Sequence, residues 1–466
     1  MTETVLTELT CFKAYDIRGR MGDELNEEVV ERIARAFAQV LQAQTVVLGR
    51  DPRASSQALS NAVAKGLMCS GVTVIDLGLC GTEEVYFATD HLGADGGICV
   101  TASHNPMDYN GLKLVKAGAA PLDTETEFAA IKRLAESGTF GSDAPKGSYD
   151  TSPVDRCRAA YVDRVLSFID ITSLSPMKIV VNAGNGAAGP SFDRIAAALE
   201  QAGAPISFCR MHHVPDERFP NGIPNPLLPE NQPATSNEVL AQGAELGVAW
   251  DGDFDRCFLF DNEGAFVPGE YLVGLLAEAF LAKDPDETIV HDPRVIWNTQ
   301  DLIARAGGRA VFARTGHAYM KQVMRDSGAV YGGEMSAHHY FRDFMACDSG
   351  MIPWLLVLEL LSRKSATLAD LIRARRTAFP SSGEINFRVE DVNHTVANVE
   401  AKYAPLALAR DDTDGMSLDF GDWRLNLRRS NTEPLLRLNI EARGDEVLLR
   451  ARVAELSALL AGHASD

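Results

Sequence analysis

From Asn26 to Ser362 the chain alternates segments patterned as helices with segments patterned as strands, and this alternation constrains the fold more than any other feature. Val29, Val30, Ile33, Phe37 and Val40 form a helical stripe behind Asn26, a predicted N-cap followed by two glutamates suited to the helix dipole. Residues 45–48 read as a strand ending at Gly49-Arg50-Asp51. A helix over 56–69, a strand over 72–77, a short helix and a strand over 98–100 follow. The same rhythm returns with a helix over 161–169 and strands at 178–181, 206–209 and 246–250. It continues through a helix over 271–281, strands at 288–291 and 310–313, and a helix over 354–362. Strands alternating with helices imply a parallel sheet with right-handed crossovers. Beyond Pro380 the pattern changes to strands at 385–389, 416–420, 423–427 and 435–440, then a helix over 446–460. Those runs fit an antiparallel sheet with helices on one face.

A chain of 466 residues is too long for a single hydrophobic core. We expect four domains, 1–148, 149–264, 265–379 and 380–466. The first boundary falls in a stretch rich in Gly, Ser, Asp and Pro. Asp plus Glu number 64 against 44 Lys plus Arg, a net charge of −20 that repels nucleic acid and anionic membrane. The longest apolar run, 354–358, is far too short to span a bilayer. No signal-peptide pattern opens the chain, and eight scattered cysteines without a Cys-x-x-Cys pair suit reduced thiols in a cytoplasm. The same negative field repels a phosphorylated small molecule, so a site for one must be locally basic.

Residues 97–116 carry the densest chemistry. The apolar run at 98–100 ends in Thr101-Ala102-Ser103-His104-Asn105-Pro106. A serine at the carboxyl end of a parallel strand stands where open α/β sheets place their ligands. Pro106 keeps the chain in a loop, and Lys113 follows a predicted turn at Asn110-Gly111. In one reading a hydroxyl, an imidazole and an ammonium converge on an anion. In the other this is a strand, a polar turn and a snorkelling lysine.

In Asp251-Gly-Asp253-Phe-Asp255-Arg256 three carboxylates at alternate positions follow a strand. Their repulsion is costly unless a cation joins them. An EF-hand is excluded, since Arg256 and Asn262 stand where glycine and glutamate are required. A solvated acidic turn is the alternative. Its position flush against Cys257-Phe-Leu-Phe260 implies partial burial, which favours metal. Gly184-Asn-Gly186-Ala-Ala-Gly189 matches a dinucleotide fingerprint, but Arg210-Met211 occupy the place of a ribose-binding acid. A tight strand-to-helix turn is expected there.

Further along, Thr315 is a candidate N-cap, and His317 shares a helix face with Lys321. By itself His317 reads as a capping or packed histidine. Glu334 and Ser336 offer acceptors for hydroxyl groups, or a loop salt bridge. Arg428-Arg-Ser430-Asn431-Thr432-Glu-Pro434 has the composition of a phosphate cradle, or of a hairpin with two solvated arginines.

Thr-Ala-Ser-His-Asn-Pro with the downstream Asn-Gly-Leu-Lys resembles the phosphoserine loop of the α-D-phosphohexomutases. Three further motifs of that family recur in family order: Asp-Gly-Asp-Phe-Asp-Arg, Gly-Glu-Met-Ser and Arg-Arg-Ser-Asn-Thr. The likeness covers nearly the whole chain. His291-Asp-Pro-Arg and Gly333-Glu-Met-Ser-Ala-His-His-Tyr-Phe place it nearest the bacterial phosphomannomutases of that family.

The resemblance implies three similar mixed-sheet α/β domains followed by a smaller α+β domain, with the active site in a central cleft. Ser103 would carry the transferable phosphoryl group. Asp251, Asp253 and Asp255 would bind Mg²⁺, with an oxygen of the phosphate on Ser103 as fourth ligand. Lys113, His104 and His317 would move protons, and Arg18 and Arg256 would face the reacting group. Tyr15, Arg294, Glu334, Ser336 and His338 would contact substrate, Glu334 and Ser336 at the C3 and C4 hydroxyls. Arg428, Ser430, Asn431 and Thr432 would bind the phosphate that is not transferred, with Arg429 at the variable position.

The implied reaction interconverts D-mannose 1-phosphate and D-mannose 6-phosphate, with hexose 1,6-bisphosphate as intermediate and activator. It would feed GDP-mannose and surface polysaccharide synthesis, with some action on glucose phosphates. A phosphoglucomutase is the alternative within the family. A metal-dependent sugar phosphatase would have no use for two phosphate-facing loops. A non-catalytic sugar-phosphate sensor would not need nucleophile, metal and acid–base residues together. The expected partner is a phosphorylated hexose alone, bound by a monomer or a dimer.

Overall fold

The computed structural model describes residues 8–141, 146–429 and 435–461. They form two compact units. One runs to Phe266 and takes in Phe341–Ser365; the other comprises Val267–Tyr340 and the chain from Ala366.

In the first unit Thr45–Arg50 pairs in parallel with Thr73–Leu79 on one side and Gly96–Val100 on the other. Tyr109–Lys116 then returns antiparallel on Gly96–Val100, and Ile17–Arg20 adds antiparallel beyond it. The sheet is therefore mixed, parallel at its centre and antiparallel at one side. Helix Glu27–Leu41 starts where its cap was expected, the Asn26 side chain accepting from Val29 N at 2.9 Å. Together with helix Ser56–Cys69 it buries Phe37, Leu59, Val63 and Leu67 against Val46, Leu48 and Ile98. Removing such side chains from water supplies the main driving force for this layer.

Asn110-Gly111 is not a turn. Both residues lie inside Tyr109–Lys116. A Cβ on Gly111 would stand 2.3 Å from Ile17 O and 2.9 Å from Thr101 O. The glycine permits close approach of backbones, and the buried Asn110 amide donates to Ser55 and Ser56. The chain reverses earlier, between Thr101 and Asp108.

A second sheet in this unit centres on Met177–Asn182, parallel to Ile206–Met211 and Leu246–Trp250, with Cys257–Phe260 antiparallel at the edge. The glycines of the fingerprint-like run serve internal packing. Added Cβ atoms would meet Pro224 at Gly184, Gly252 O at Gly186 and His213 O at Gly189. Helix Ile352–Lys364 belongs to this unit and sets Trp354 against Phe192 and Phe208.

In the second unit Thr288–His291 is flanked in parallel by Arg309–Phe312 and Tyr331–Gly333, beside helices Gly269–Lys283 and Trp297–Arg305. Helix His317–Ser327 is preceded by Gly316 at φ 128°, so Gly316 and not Thr315 stands at the cap. The backbone geometry there suits glycine, and the Thr315 amide turns instead to Asp414 Oδ2 at 3.3 Å. An antiparallel sheet follows, ordered Ser381–Arg388, Leu435–Ala442, Trp423–Arg429, Met416–Asp419, Ala409–Asp411. It shares a core of Val399, Leu418, Leu425, Leu438 and Leu456 with helices Val392–Tyr403 and Glu446–Ala461. Among the described residues no helix is long and apolar enough to cross a membrane.

Candidate active site

The strand Gly96–Val100 delivers Thr101, Ala102 and Ser103 to its carboxyl end, all buried. Ser103 takes a left-handed φ of 50°, which a non-glycine residue adopts only when its surroundings impose it. Its amide donates to Thr101 Oγ1 at 2.9 Å, and the Asn105 amide to Ala102 O at 2.9 Å. Ser103 Oγ lies 2.5 Å from Asp251 Oδ2 and 2.9 Å from His104 Nδ1. The hydroxyl donates to Asp251 and can accept from His104 when Nδ1 carries the ring proton. Burial holds the His104 imidazole well below its usual range, helped by the charges of Arg256, Arg18 and Lys113. The ring is therefore neutral. Arg18 reaches this loop from Ile17–Arg20, donating to Asn105 Oδ1 and sitting 3.7 Å from Asp16. Tyr15 lies half-buried in the segment leading into that strand.

The second sheet brings its acidic turn to the same place. Gly252 touches the serine loop so closely that a Cβ on it would lie 2.5 Å from Ser103 O. Asp251, Asp253 and Asp255 are all buried, and one ligand oxygen from each lies within 4.8 Å of the others. Burial and the two neighbouring carboxylates push Asp251 well above the usual carboxylate range. Lys113 Nζ reaches in from Tyr109–Lys116, 2.7 Å from Asp253 Oδ2 and also bonded to Asp255 Oδ2. Burial alone would lower its pKa, but Asp253 and Asp255 hold it well above the ordinary value. Arg256 Nε stands 3.8 Å from Asp251. Asp253 Oδ1 is buried with no hydrogen-bond partner among the described residues. Three clustered carboxyl groups repel one another, as the raised pKa of Asp251 shows, and they offer oxygen donors only. That donor set fits a hard divalent cation.

In the second unit Glu334, Ser336 and His338 follow the strand Tyr331–Gly333. Glu334 is fully buried. Its Oε1 accepts from Gly316 N at 2.9 Å, and its Oε2 from Tyr340 Oη at 2.6 Å with His338 Nδ1 at 3.6 Å. The Gly316 contact ties Glu334 to the start of the helix that carries His317, which is half-buried. Arg294 pairs with Asp292 at 2.8 Å and reaches Ser336 Oγ at 3.4 Å. Arg428 is buried and donates to Glu384 at 2.7 Å, whereas Arg429 is exposed. Ser430, Asn431 and Thr432 lie outside the described residues. The first unit thus gathers Arg18, Ser103, His104, Lys113, Arg256 and the three aspartates; the second gathers Arg294, His317, Glu334, Ser336 and His338.

Two residues at the first cluster were not anticipated. Thr82, at the start of helix Thr82–His91, donates from Oγ1 to Asp253 Oδ2 at 2.6 Å and from its amide to Asp253 O at 3.1 Å. Arg53 is buried and donates to four main-chain carbonyls of the serine loop: Ser103 at 2.9 Å, Asn105 at 2.6 Å, Pro106 at 2.8 Å and Tyr109 at 3.2 Å. Asp51 accepts from the Ala102 amide at 3.3 Å and from the Arg53 amide at 3.0 Å. Asp292 does the same in the second unit, accepting from Met335 N at 2.8 Å and Arg294 N at 3.0 Å. The signal was present as a repeat, Arg50-Asp-Pro-Arg53 and His291-Asp-Pro-Arg294, each starting on the last residue of a strand.

Four domain models of phosphoglucomutase/phosphomannomutase match the chain in order: alpha/beta/alpha domain I at 10–141, domain II at 159–264, domain III at 268–379 and the C-terminal domain at 384–459. The chain is 57 % identical over 457 residues to a phosphomannomutase of Salmonella typhimurium, covering 98 % of this chain and 100 % of that one. It is 55 % identical over 454 residues to a protein of Xanthomonas campestris named phosphohexose mutases, covering 97 % and 100 %. A crystal structure of a phosphoglucomutase/phosphomannomutase family protein from Burkholderia thailandensis superposes with a TM-score of 0.85 at 32 % identity, covering 97 % of each chain.

Proposed function

This chain belongs to the phosphoglucomutase/phosphomannomutase family, and from that premise we propose that it interconverts D-mannose 1-phosphate and D-mannose 6-phosphate through a phosphorylated Ser103. It is an enzyme of the phosphohexomutase class, an isomerase of carbohydrate metabolism. The observation that carries the finer reading is the serine hydroxyl held 2.5 Å from the first of three clustered aspartates.

In the proposed cycle the bond between phosphorus and Ser103 Oγ breaks as a bond to the free sugar hydroxyl forms, giving a hexose 1,6-bisphosphate. The hydroxyl proton leaves to one of Lys113, His104 and His317. The other phosphoryl group then returns to Ser103, and the product retains the first. Asp251, Asp253 and Asp255 would hold Mg²⁺, which neutralises charge on the transferring phosphoryl group. Arg18 and Arg256 offset the chain's net charge where an anion must sit. Glu334 would accept from the C3 and C4 hydroxyls, with Ser336, His338, Arg294 and Tyr15 completing substrate contact. The loop from Arg428 to Thr432 binds the second phosphate and keeps the bisphosphate from leaking away. Supply of GDP-mannose from a cytoplasmic location is part of this reading. Membership of a phosphoglucomutase/phosphomannomutase family supports a second activity on glucose phosphates.

Coupled assays on mannose 1-phosphate and glucose 1-phosphate test the substrate. The two sugars differ at C2, which the hydroxyl-gripping loop does not address, so discrimination of on the order of 1–3 kcal/mol is expected. Glu334→Gln should cost both sugars a similar factor. Strict rejection of glucose 1-phosphate, or a Glu334→Gln loss confined to one sugar, would contradict the assignment.

A further inference from the structure

Four charged side chains of the second unit meet at the start of its antiparallel sheet. Arg428 and Arg437 are directly opposed on the strands Trp423–Arg429 and Leu435–Ala442. Like charges in that position repel. On the next strand, Ser381–Arg388, Glu384 pairs with Asn439, two residues along from Arg437. Its carboxylate therefore lies diagonally beside the arginine pair. Oε2 accepts from Arg428 Nη2 at 2.7 Å, and Oε1 lies 3.2 Å from Arg437 Nη1. Arg294 Nη1 is 3.5 Å from Oε2, but that guanidinium already has Asp292 at 2.8 and 3.1 Å. Burial alone would raise the Glu384 pKa, yet Arg294, Arg428 and Arg437 hold it below its usual value, so it is ionised. Two guanidiniums thus share one carboxylate. Arg428 is 3 % exposed, and its Nε–H has no partner among the described residues.

We infer that Glu384 is a resident stand-in for phosphate: it neutralises Arg428 and Arg437 when no phosphate is bound and competes with phosphate during turnover. The inference rests on the reading of Arg428 as a phosphate ligand. A phosphate monoester brings about two charges and three acceptor oxygens against one charge and two oxygens, so it prevails over the carboxylate. When it leaves, the buried guanidinium would be stranded without a partner, which is costly. Glu384 refills the position and makes release easier. A mutase needs this exchange, because either phosphate of the bisphosphate must occupy the second-phosphate position in turn. Glu384 then exchanges affinity for turnover and acts as a positioning residue.

The full chain is titrated with inorganic phosphate, and hexose-phosphate kinetics are measured alongside. Glu384→Gln should bind phosphate roughly 5- to 50-fold more tightly, because a competing charge is gone. Its KM and kcat should fall together, as expected when release becomes slower. Glu384→Asp, one methylene shorter, should move the same way by less, and it carries the test if the Gln variant does not fold. Unchanged or weaker phosphate binding in a folded Glu384 variant overturns the inference. Arg428→Ala separates the premise. If it binds phosphate like wild type, the reading of Arg428 fails and this inference with it. If it binds weakly while Glu384→Gln gains nothing, only the stand-in role fails.

Discussion

A guanidinium that meets four main-chain carbonyls, as Arg53 does, is doing what no other side chain can. Its planar fork presents five donors, whereas lysine presents three on a point charge. The carbonyls of Ser103, Asn105, Pro106 and Tyr109 are collected on one group, and Asp51 fixes that group and the Ala102 amide together. Burial works against the charge on Arg53, so the cost is offset only while every partner stays in place. Arg53→Lys should therefore lower kcat by about 10- to 100-fold through a displaced Ser103, with KM changed much less. Phosphate binding in the second unit should be unaffected. Steady-state kinetics and a phosphate titration on the same preparation check both, and wild-type kcat in Arg53→Lys would contradict a positioning role.

Among the elements, the residues proposed to carry the chemistry lie on loops at strand ends, and glycines let those loops touch. Gly252 lets the acidic turn approach Ser103 O, and Gly81 lets the start of Thr82–His91 approach Phe254, whose ring an added Cβ would meet at 2.1 Å. Gly252→Ala should force the two loops apart and lower kcat on the order of 100-fold, at a stability cost of about 1–3 kcal/mol from overpacking. Gly141→Ala, where an added Cβ finds open space, is the control. Activity in Gly252→Ala close to that of the control would contradict this account of the contact.

These contacts join residues far apart in the chain, which local sequence pattern does not encode. Strand and helix periodicity located Ser56–Cys69, Leu246–Trp250 and Thr288–His291 at their ends, because burial imposes a local pattern. Asn110-Gly111 was read as a turn because that pair suits one. Its real use, backbone against backbone, depends on residues far away in the chain. Thr315 lost the cap to Gly316 because the chain enters the helix at φ 128°, a conformation that favours glycine. Thr82 carried no local signal at all, and its partner Asp253 is 171 residues away.

Over the whole chain one device recurs. Ser103, Asp253 and Ser336 each stand three residues beyond the carboxyl end of a parallel strand, after Gly96–Val100, Leu246–Trp250 and Tyr331–Gly333. The repeat explains why the motifs were legible one at a time. Each is a short run following an apolar strand, at the position where such sheets bind ligands. The net charge of −20 is answered locally, by Arg18, Arg53, Lys113 and Arg256 in one unit and by Arg294, Arg428 and Arg437 in the other.

The central claim is that Ser103 lends the phosphoryl group. The most direct test incubates the chain and Mg²⁺ with a hexose 1,6-bisphosphate radiolabelled in both phosphates, maps the labelled peptide, and chases with unlabelled mannose 1-phosphate. The account predicts label on Ser103 alone, chased into hexose phosphates at a rate no slower than kcat and retained when the metal is chelated. It also predicts that Ser103→Ala takes no label and loses at least about 10³-fold in kcat. Label on another residue, release of the label mainly as free phosphate, or wild-type turnover by Ser103→Ala would contradict it.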